Sequence, residues 1–341
     1  MDFSKIFIKD ARPTKIGGQA VLEGIMMKGE DRTAVVVRLE DERMHIKTER
    51  LAPAGRASRI PIVRGVVNFA SMLMLGMRTL MYSAEVLEKY APADDDSPDS
   101  RDKPENDNDG GASPFGAAMI FAVLIAVAFV VGVFIVVPTV AVNWFQGFTE
   151  NAVALNLFEG VLRIALFVAY IVCISRMKDI RTTFEYHGAE HETIHCYESG
   201  LPLTPENADS FETLHPRCGT SFLMFVMIIA LLLFSLLGWP SLLYRVLSRI
   251  IFIPLIAGLS YELLRYAGRA DNAFVRVMSV PGLLLQKLTT RKPTHDQLVV
   301  AIAALKAVLV PQDTEEYEGF CDEDGALLPE EPHADDAPLA E

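Results

Sequence analysis

From Phe115 to Thr149 the chain carries no Asp, Glu, Lys, Arg or His. That run exceeds the roughly 20 apolar residues a helix needs to cross about 30 Å of hydrocarbon. Its core, 115–142, suits one tilted span, with Pro138 near its end. Three further apolar blocks follow at 152–175, 220–238 and 241–264. Composition agrees: 51% of residues are hydrophobic and the mean hydropathy is +0.27. A soluble core of this size spreads its apolar residues periodically, whereas here they come in unbroken blocks. The expected fold is a mainly α, polytopic membrane protein. It has about four transmembrane helices, interfacial helices and a small N-terminal β-hairpin region.

The chain divides by composition. Residues 1–59 read as an N-terminal cytoplasmic β-rich segment, with strands at 33–39 and 43–51 around an acidic turn at Glu40–Glu42, packed by Ile16–Met27. Residues 60–90 are apolar at helical spacing. The uncharged run between Arg64 and Arg78 is too short for a span, so an interfacial or re-entrant helix is expected. Residues 91–114 are a disordered acidic linker and 311–341 a disordered acidic tail, each too poor in large apolar residues to fold. Residues 94–109 carry −6 and 313–341 carry −12 of the net charge of −13, so the remainder is mildly basic at +5. Residues 115–264 are the four-span domain with a polar loop at 176–219, and 265–310 supply C-terminal amphipathic helices. The last of these, from 294, has Thr294 as N-cap and Gln297 as capping-box partner.

The N-terminus lacks the apolar stretch of a signal peptide, so an internal span is expected to direct insertion. The four cysteines suggest no disulfide framework. Lys and Arg favour one side: 143–151 has neither, while the loop holds Arg176, Lys178, Arg181 and Arg217, and Arg265, Arg269 and Arg276 follow the fourth block. By the positive-inside rule that side, with both termini, is cytoplasmic, and the cell membrane is the expected location. Arg245 and Arg249, near the opposite face, run against the trend. Glu159 and Arg163 lie four apart within an apolar block. They are expected to pair with each other, or Glu159 with Arg245 or Arg249.

The chemistry concentrates in the polar loop, where four of the seven histidines lie. At about 100° per residue, His187, Glu190, His191, Ile194 and Glu198 share one helical face, with His195 on its edge. Histidines at i and i+4 can grip one divalent ion. The order His187-Gly-Ala-Glu190-His191 also fits the H-x-x-E-H pattern, in which Glu190 polarises a metal-bound water. The third ligand would be a downstream carboxylate, Glu198 or Glu262. His215-Pro-Arg-Cys218 offers two more ligands. His187, His191, His215 and Cys218 together would close a tetrahedral structural site, and if His215 or Cys218 stays off, a position opens for catalysis. A solvated polar face with Cys218 as a small buried residue is the plainer alternative. Glu23, among glycines in IGGQAVLEGIMMKG, is expected to be architectural, though it could approach the histidines.

The ordered motifs IGGQAVLEGIMMKG, EYHGAEHETIHCYE, LTPENAD and LHPRCGTSFL resemble the YqhQ-like family of bacterial membrane proteins, over roughly 14–310. The matching positions are Gly17, Gly18, Glu23, Gly24, His187, Glu190, His191, Glu198, His215, Cys218 and Gly219. The resemblance implies a domain of unknown function, often labelled a predicted metal-dependent enzyme. The family pattern usually has another residue where this chain has His195, which weighs against a ligand role there.

These features predict a cytoplasm-facing divalent-metal site, zinc foremost, bound by His187, His191, His215, Cys218 and Glu198, with Glu190 as catalytic base of a metal-dependent hydrolase. The partners expected are the bilayer and a membrane-derived peptide or lipid substrate, with no nucleic acid. A non-catalytic scaffold with at most a structural metal is the alternative, and a transporter the third.

Overall fold

The computed structural model describes residues 3–8, 11–52, 55, 60–91, 121, 124–126, 128–237, 242–268, 272–312 and 314–329. The expected linker at 91–114 lies almost wholly outside them, as does the end of the tail. The chain forms two compact units. One comprises Met1–Ala91, Ile171–Ile229 and Val246–Glu341, and the other Pro92–Tyr170 and Ala230–Arg245.

The first unit is built on a five-stranded antiparallel meander: β1 (Gly17–Val21), β2 (Gly24–Lys28), β3 (Arg32–Arg38), β4 (Met44–Arg50) and β5 (Glu318–Cys321). The β3–β4 hairpin matches the sequence expectation. Ile16–Met27, expected to pack on the hairpin, instead extends the sheet as β1 and β2. Their tight turn places Glu23 in the left-handed region (φ 46). Alternation along the strands aims Ile25, Met27, Ala34, Val36 and Ile46 at one face and Met26, Val35 and Val37 at the other. Both faces are covered, which is why β2 and β3 lack a polar side.

Against the first face pack α5 (Lys178–Glu198) and α10 (His295–Val308), through Tyr186, Ala189 and Ile194 from one and Leu298, Ala301, Ile302 and Leu305 from the other. The Thr294–Gln297 capping box is present as expected. Against the second face packs the C-terminal half of α2 (Val63–Lys89), with Val86, Leu75 and Tyr82 in the shared core. Part of 60–90 is thus an ordinary layer of the fold.

The acidic tail also departs from expectation. Its stretch Glu318–Cys321 becomes β5, because β4 would otherwise present an open row of backbone donors and acceptors. Arg32, 1% exposed, donates to the carbonyls of Pro311 and Thr314 and leads the tail to that edge. Thr48 and Tyr317 then exchange hydrogen bonds, the Tyr317 amide donating to Thr48 Oγ1 at 2.9 Å.

Among the described residues, three helices are long and apolar enough to cross a membrane: α3 (Leu124–Phe145), α4 (Ala152–Ile174) and the Leu247–Ala267 stretch of α8 (Leu242–Ala267). The expected third span is the 17-residue α7 (Gly219–Ser235). It rises only about 25 Å because Leu236 and Leu237 turn out of the helix.

In the second unit, a π-helical turn at Gly132–Val136 precedes Pro138. Proline has no N–H and crowds the carbonyl four residues back, which is that of Phe134. Arg163 Nε donates to this carbonyl at 3.1 Å and Nη2 pairs with Glu159 on its own helix. The expected intrahelical pair is therefore present, and it satisfies a backbone group that proline set free. The side chain of Arg245 lies outside the description.

Candidate metal centre

Helix α5 is buried almost all round from Tyr186 to Glu198. Its sheet-facing side is apolar. On the other side His187, His191, His195 and, from the following loop, His215 form a row, with ring centroids 4.5 Å apart for His187–His191 and His195–His215 and 5.5 Å for His191–His215.

Backbone carbonyls orient the first two rings. His187 Nδ1 donates to Thr289 O at 2.8 Å and His191 Nδ1 to Thr213 O at 2.6 Å. A carbonyl only accepts, so each Nδ1 carries the proton, which in a neutral ring leaves Nε2 its lone pair. His187 Nε2 lies 3.1 Å from Cys218 Sγ. His191 Nε2 is buried with no hydrogen-bond partner. Ligand atoms of His187, His191 and Cys218 lie within 4.8 Å of one another. Burial pushes the His191 pKa down, so the ring is held neutral.

Several residues place these groups. A Cβ on Gly188 would stand 1.9 Å from Arg291 O, so only glycine lets the segment after α9 (Ala273–Thr289) press against α5 and deliver the Thr289 carbonyl. Buried Gln286 grips the loop: its Oε1 accepts from the His215 amide at 2.8 Å, and its Nε2 donates to His215 O at 2.9 Å and Ser221 Oγ at 3.1 Å. Cys218 closes a turn back to the carbonyl of His215 and heads α7.

Glu190 rests against β1. Its Oε1 accepts the Gly18 amide at 2.8 Å. A Cβ on Gly18 would reach 2.9 Å from the Glu190 carboxyl carbon, which explains one glycine of the N-terminal motif. Burial raises the pKa of Glu190, against the opposing influence of His187 and the Gly18 amide. Glu23 lies in the exposed β1–β2 turn, with its carbonyl accepting from the Arg38 amide.

The other expected ligands are engaged elsewhere. Glu198 accepts from Arg217, from the Thr14 amide at 2.8 Å and from Thr14 Oγ1 at 2.7 Å. Burial opposes its charge, yet hydrogen bonds from His215 and Arg217 hold its pKa down at about 2. His215 Nε2 faces that carboxylate at 3.9 Å, and its Nδ1 accepts from the Arg217 amide at 3.3 Å. Burial pushes its pKa down to about 3. His195 Nε2 donates to Leu214 O at 3.0 Å. Glu262 is paired with Arg64. Among the described residues, the group that joins the two helical histidines is thus Cys218.

Sequence reasoning missed Gly188, Gln286, Thr213 and Thr289. A glycine inside a polar helix was the one visible signal; the carbonyl acceptors have none.

The family described as "Protein of unknown function (DUF1385)" matches residues 60–311. The chain belongs to that family. It is also 30% identical over 303 residues to "Uncharacterized protein YqhQ" of Bacillus subtilis (strain 168), covering 87% of this chain and 93% of that one. The YqhQ-like resemblance is thereby established. No solved structure matches.

His187, His191 and Cys218 form a group that could hold a metal ion. Two imidazoles and one thiol form a familiar donor set, each ring is fixed through Nδ1, and His191 Nε2 is an orphaned buried acceptor.

Proposed function

We propose that the protein is a metal-dependent hydrolase of the cell membrane, with His187, His191 and Cys218 as ligands of a divalent ion, zinc foremost. The observation that carries this reading is the buried, partnerless Nε2 of His191 beside the His187–Cys218 pair. Three protein ligands leave a tetrahedral ion one position, the arrangement of catalytic sites. When bound, the ion supplies positive charge that polarises a water or a carbonyl. Glu190 is the base: burial raises its proton affinity, and the Gly18 amide holds one oxygen. Glu198 and Arg217 tie His215 back, so that ring positions the loop rather than binding the ion.

The site faces the cytoplasm in this reading. The support is the Lys and Arg distribution, with α7 counted as a short fourth crossing. The candidate substrate is a membrane-derived peptide or lipid, because Cys218 directly precedes the apolar helix α7.

A second reading, a structural ion in a non-catalytic scaffold, draws on the fact that the ligands join two separate segments and lean on a third through Thr289. Transport has less support, since Glu159 and Arg163 neutralise each other.

Zinc measured by mass spectrometry on protein purified in detergent without chelators tests the proposal. Near-stoichiometric metal is expected in the natural protein and a trace in the H187A/H191A variant; equal, negligible metal in both sinks it. Glu190→Gln separates the readings: hydrolysis needs Glu190, whereas a structural site keeps metal and function without it.

A further inference from the structure

Helix α2 has two different neighbours. Its C-terminal half covers the sheet. Its N-terminal half instead follows α8, within the same unit. A Cβ on Gly258 would lie 2.3 Å from Ile62 Cγ2, and one on Gly65 would lie 2.9 Å from Gly258 Cα. Asn68 Nδ2 donates to Tyr261 Oη at 2.7 Å, and the Phe69 and Phe222 rings are 5.0 Å apart.

These contacts set a depth. Gly258 precedes Ala267, where the apolar stretch of α8 ends. Nine residues of helix amount to about 13 Å, close to half of a hydrocarbon layer about 30 Å thick. Moving along α2, the contacts climb from Gly258 at Ile62 and Gly65, to Tyr261 at Asn68, and then to Gln19, whose amide donates to Gly76 O at 3.4 Å.

The start of the helix is equipped for a site without water. Arg64 Nε and Nη2 donate to the two oxygens of Glu262 at 2.6 and 2.5 Å, and the Ile62 backbone also bonds to that carboxylate. A bidentate pair of this kind, with the Val63 and Arg64 amides bonded to the Pro61 and Ile60 carbonyls, suits a charge and a helix end at membrane depth. Ile62 itself has a positive φ (68, with ψ −54), rare for a β-branched residue, in a γ-turn closed by the Val63 amide on Pro61 O where the chain turns into α2.

The face turned away from α8 is apolar. Ile60 is 56% exposed, Val63 40%, Val67 38%, Leu73 58% and Met74 75%. Val63, Val67, Ala70 and Met74, spaced by four, three and four residues, make one stripe, with Leu73 at its flank.

We propose that Ile60–Leu73 is a re-entrant segment that dips from the side of the metal centre to about mid-bilayer beside α8, and that lipid acyl chains cover its exposed stripe. The inference rests on the membrane reading of α8. It goes beyond that reading by giving α2 a depth and an occupant. It also brings the end of this half of α2 against β1, on which Glu190 rests. Gly76 at the far end of this half touches Gln19, the neighbour of Gly18, whose amide holds Glu190.

The test is photocrosslinking of the full chain in nanodiscs of phosphatidylethanolamine and phosphatidylglycerol. Benzoylphenylalanine replaces Val63, Val67, Ile251 or Glu40 in turn. Ile251, 69% exposed on α8, reports on the span, and Glu40 in the β3–β4 turn reports on solvent. Adducts heavier by one phospholipid are expected at Val63, Val67 and Ile251, about tenfold above Glu40, as burial in hydrocarbon requires. Adducts at Ile251 with none at Val63 and Val67 overturn the re-entrant segment alone. Covalent dimers at Val63 and Val67 also overturn it, by seating a second copy on the stripe. No adduct at Ile251 removes the membrane reading of α8 and this inference together.

Discussion

The row of four histidines divides into two pairs with opposite proton placement. In His187 and His191 the Nδ1 proton goes to a carbonyl, and Nε2 meets Cys218 Sγ in the first and has no hydrogen-bond partner in the second. In His195 and His215 the Nε2 side is used, by Leu214 O in one and toward Glu198 in the other. All four rings lie close together, and three stand on one helix. What separates a candidate ligand from a structural histidine is therefore the partner of the second nitrogen rather than the spacing along the helix.

The sharpest way to break this contrast is to remove one ring from each pair. His191→Ala is expected to weaken zinc binding at least about 100-fold, the scale of losing a ligand. His195→Asn should leave it within about twofold. Isothermal titration in detergent reads both, and equal losses would erase the distinction.

Gly188→Ala tests the carbonyl that orients His187. The new methyl meets Arg291 O, so the segment carrying Thr289 must withdraw. A loss of about 10-fold to 100-fold in zinc affinity is expected, because an outer-shell partner is displaced. A thermal melt of the metal-free protein shows how much of the effect is stability. Unchanged affinity would mean that Thr289 does not orient the ring.

The smallest effect concerns the other pair and depends on pH. Glu198 has a folded pKa of about 2 against an ordinary 4.5, so its ionised form stabilises the fold. That contribution is full above about 4.5, declines as pH falls, and is gone below about 2. Glu198→Gln should lower the melting temperature at pH 7 by a few degrees, about the shift of 1 kcal/mol in a chain this long. The gap to the natural protein should narrow as pH falls from 4.5 toward 2. A gap independent of pH would show that the Arg217 and Thr14 contacts matter by shape and not by charge.

Much of this arrangement was legible beforehand. The common face of His187 and His191 follows from helical periodicity, and the Thr294 capping box and the Glu159–Arg163 pair from local spacing. The choice of Cys218 over His215 was not legible, because both lie in one short turn and only Arg217, by binding Glu198, decides which ring is drawn aside. The fifth strand was hidden by its acidity: a segment too polar to form a core can still satisfy a sheet edge through backbone atoms.

The sequence by itself determined the apolar helices, the hairpin and the stripe of imidazoles, since each depends on periodicity within one segment. Only the tertiary structure decided which nitrogens remain free, which thiol meets them and how far α2 follows α8. Those outcomes depend on backbone carbonyls and glycine contacts from distant segments, and a main-chain atom leaves no residue-specific mark in the sequence.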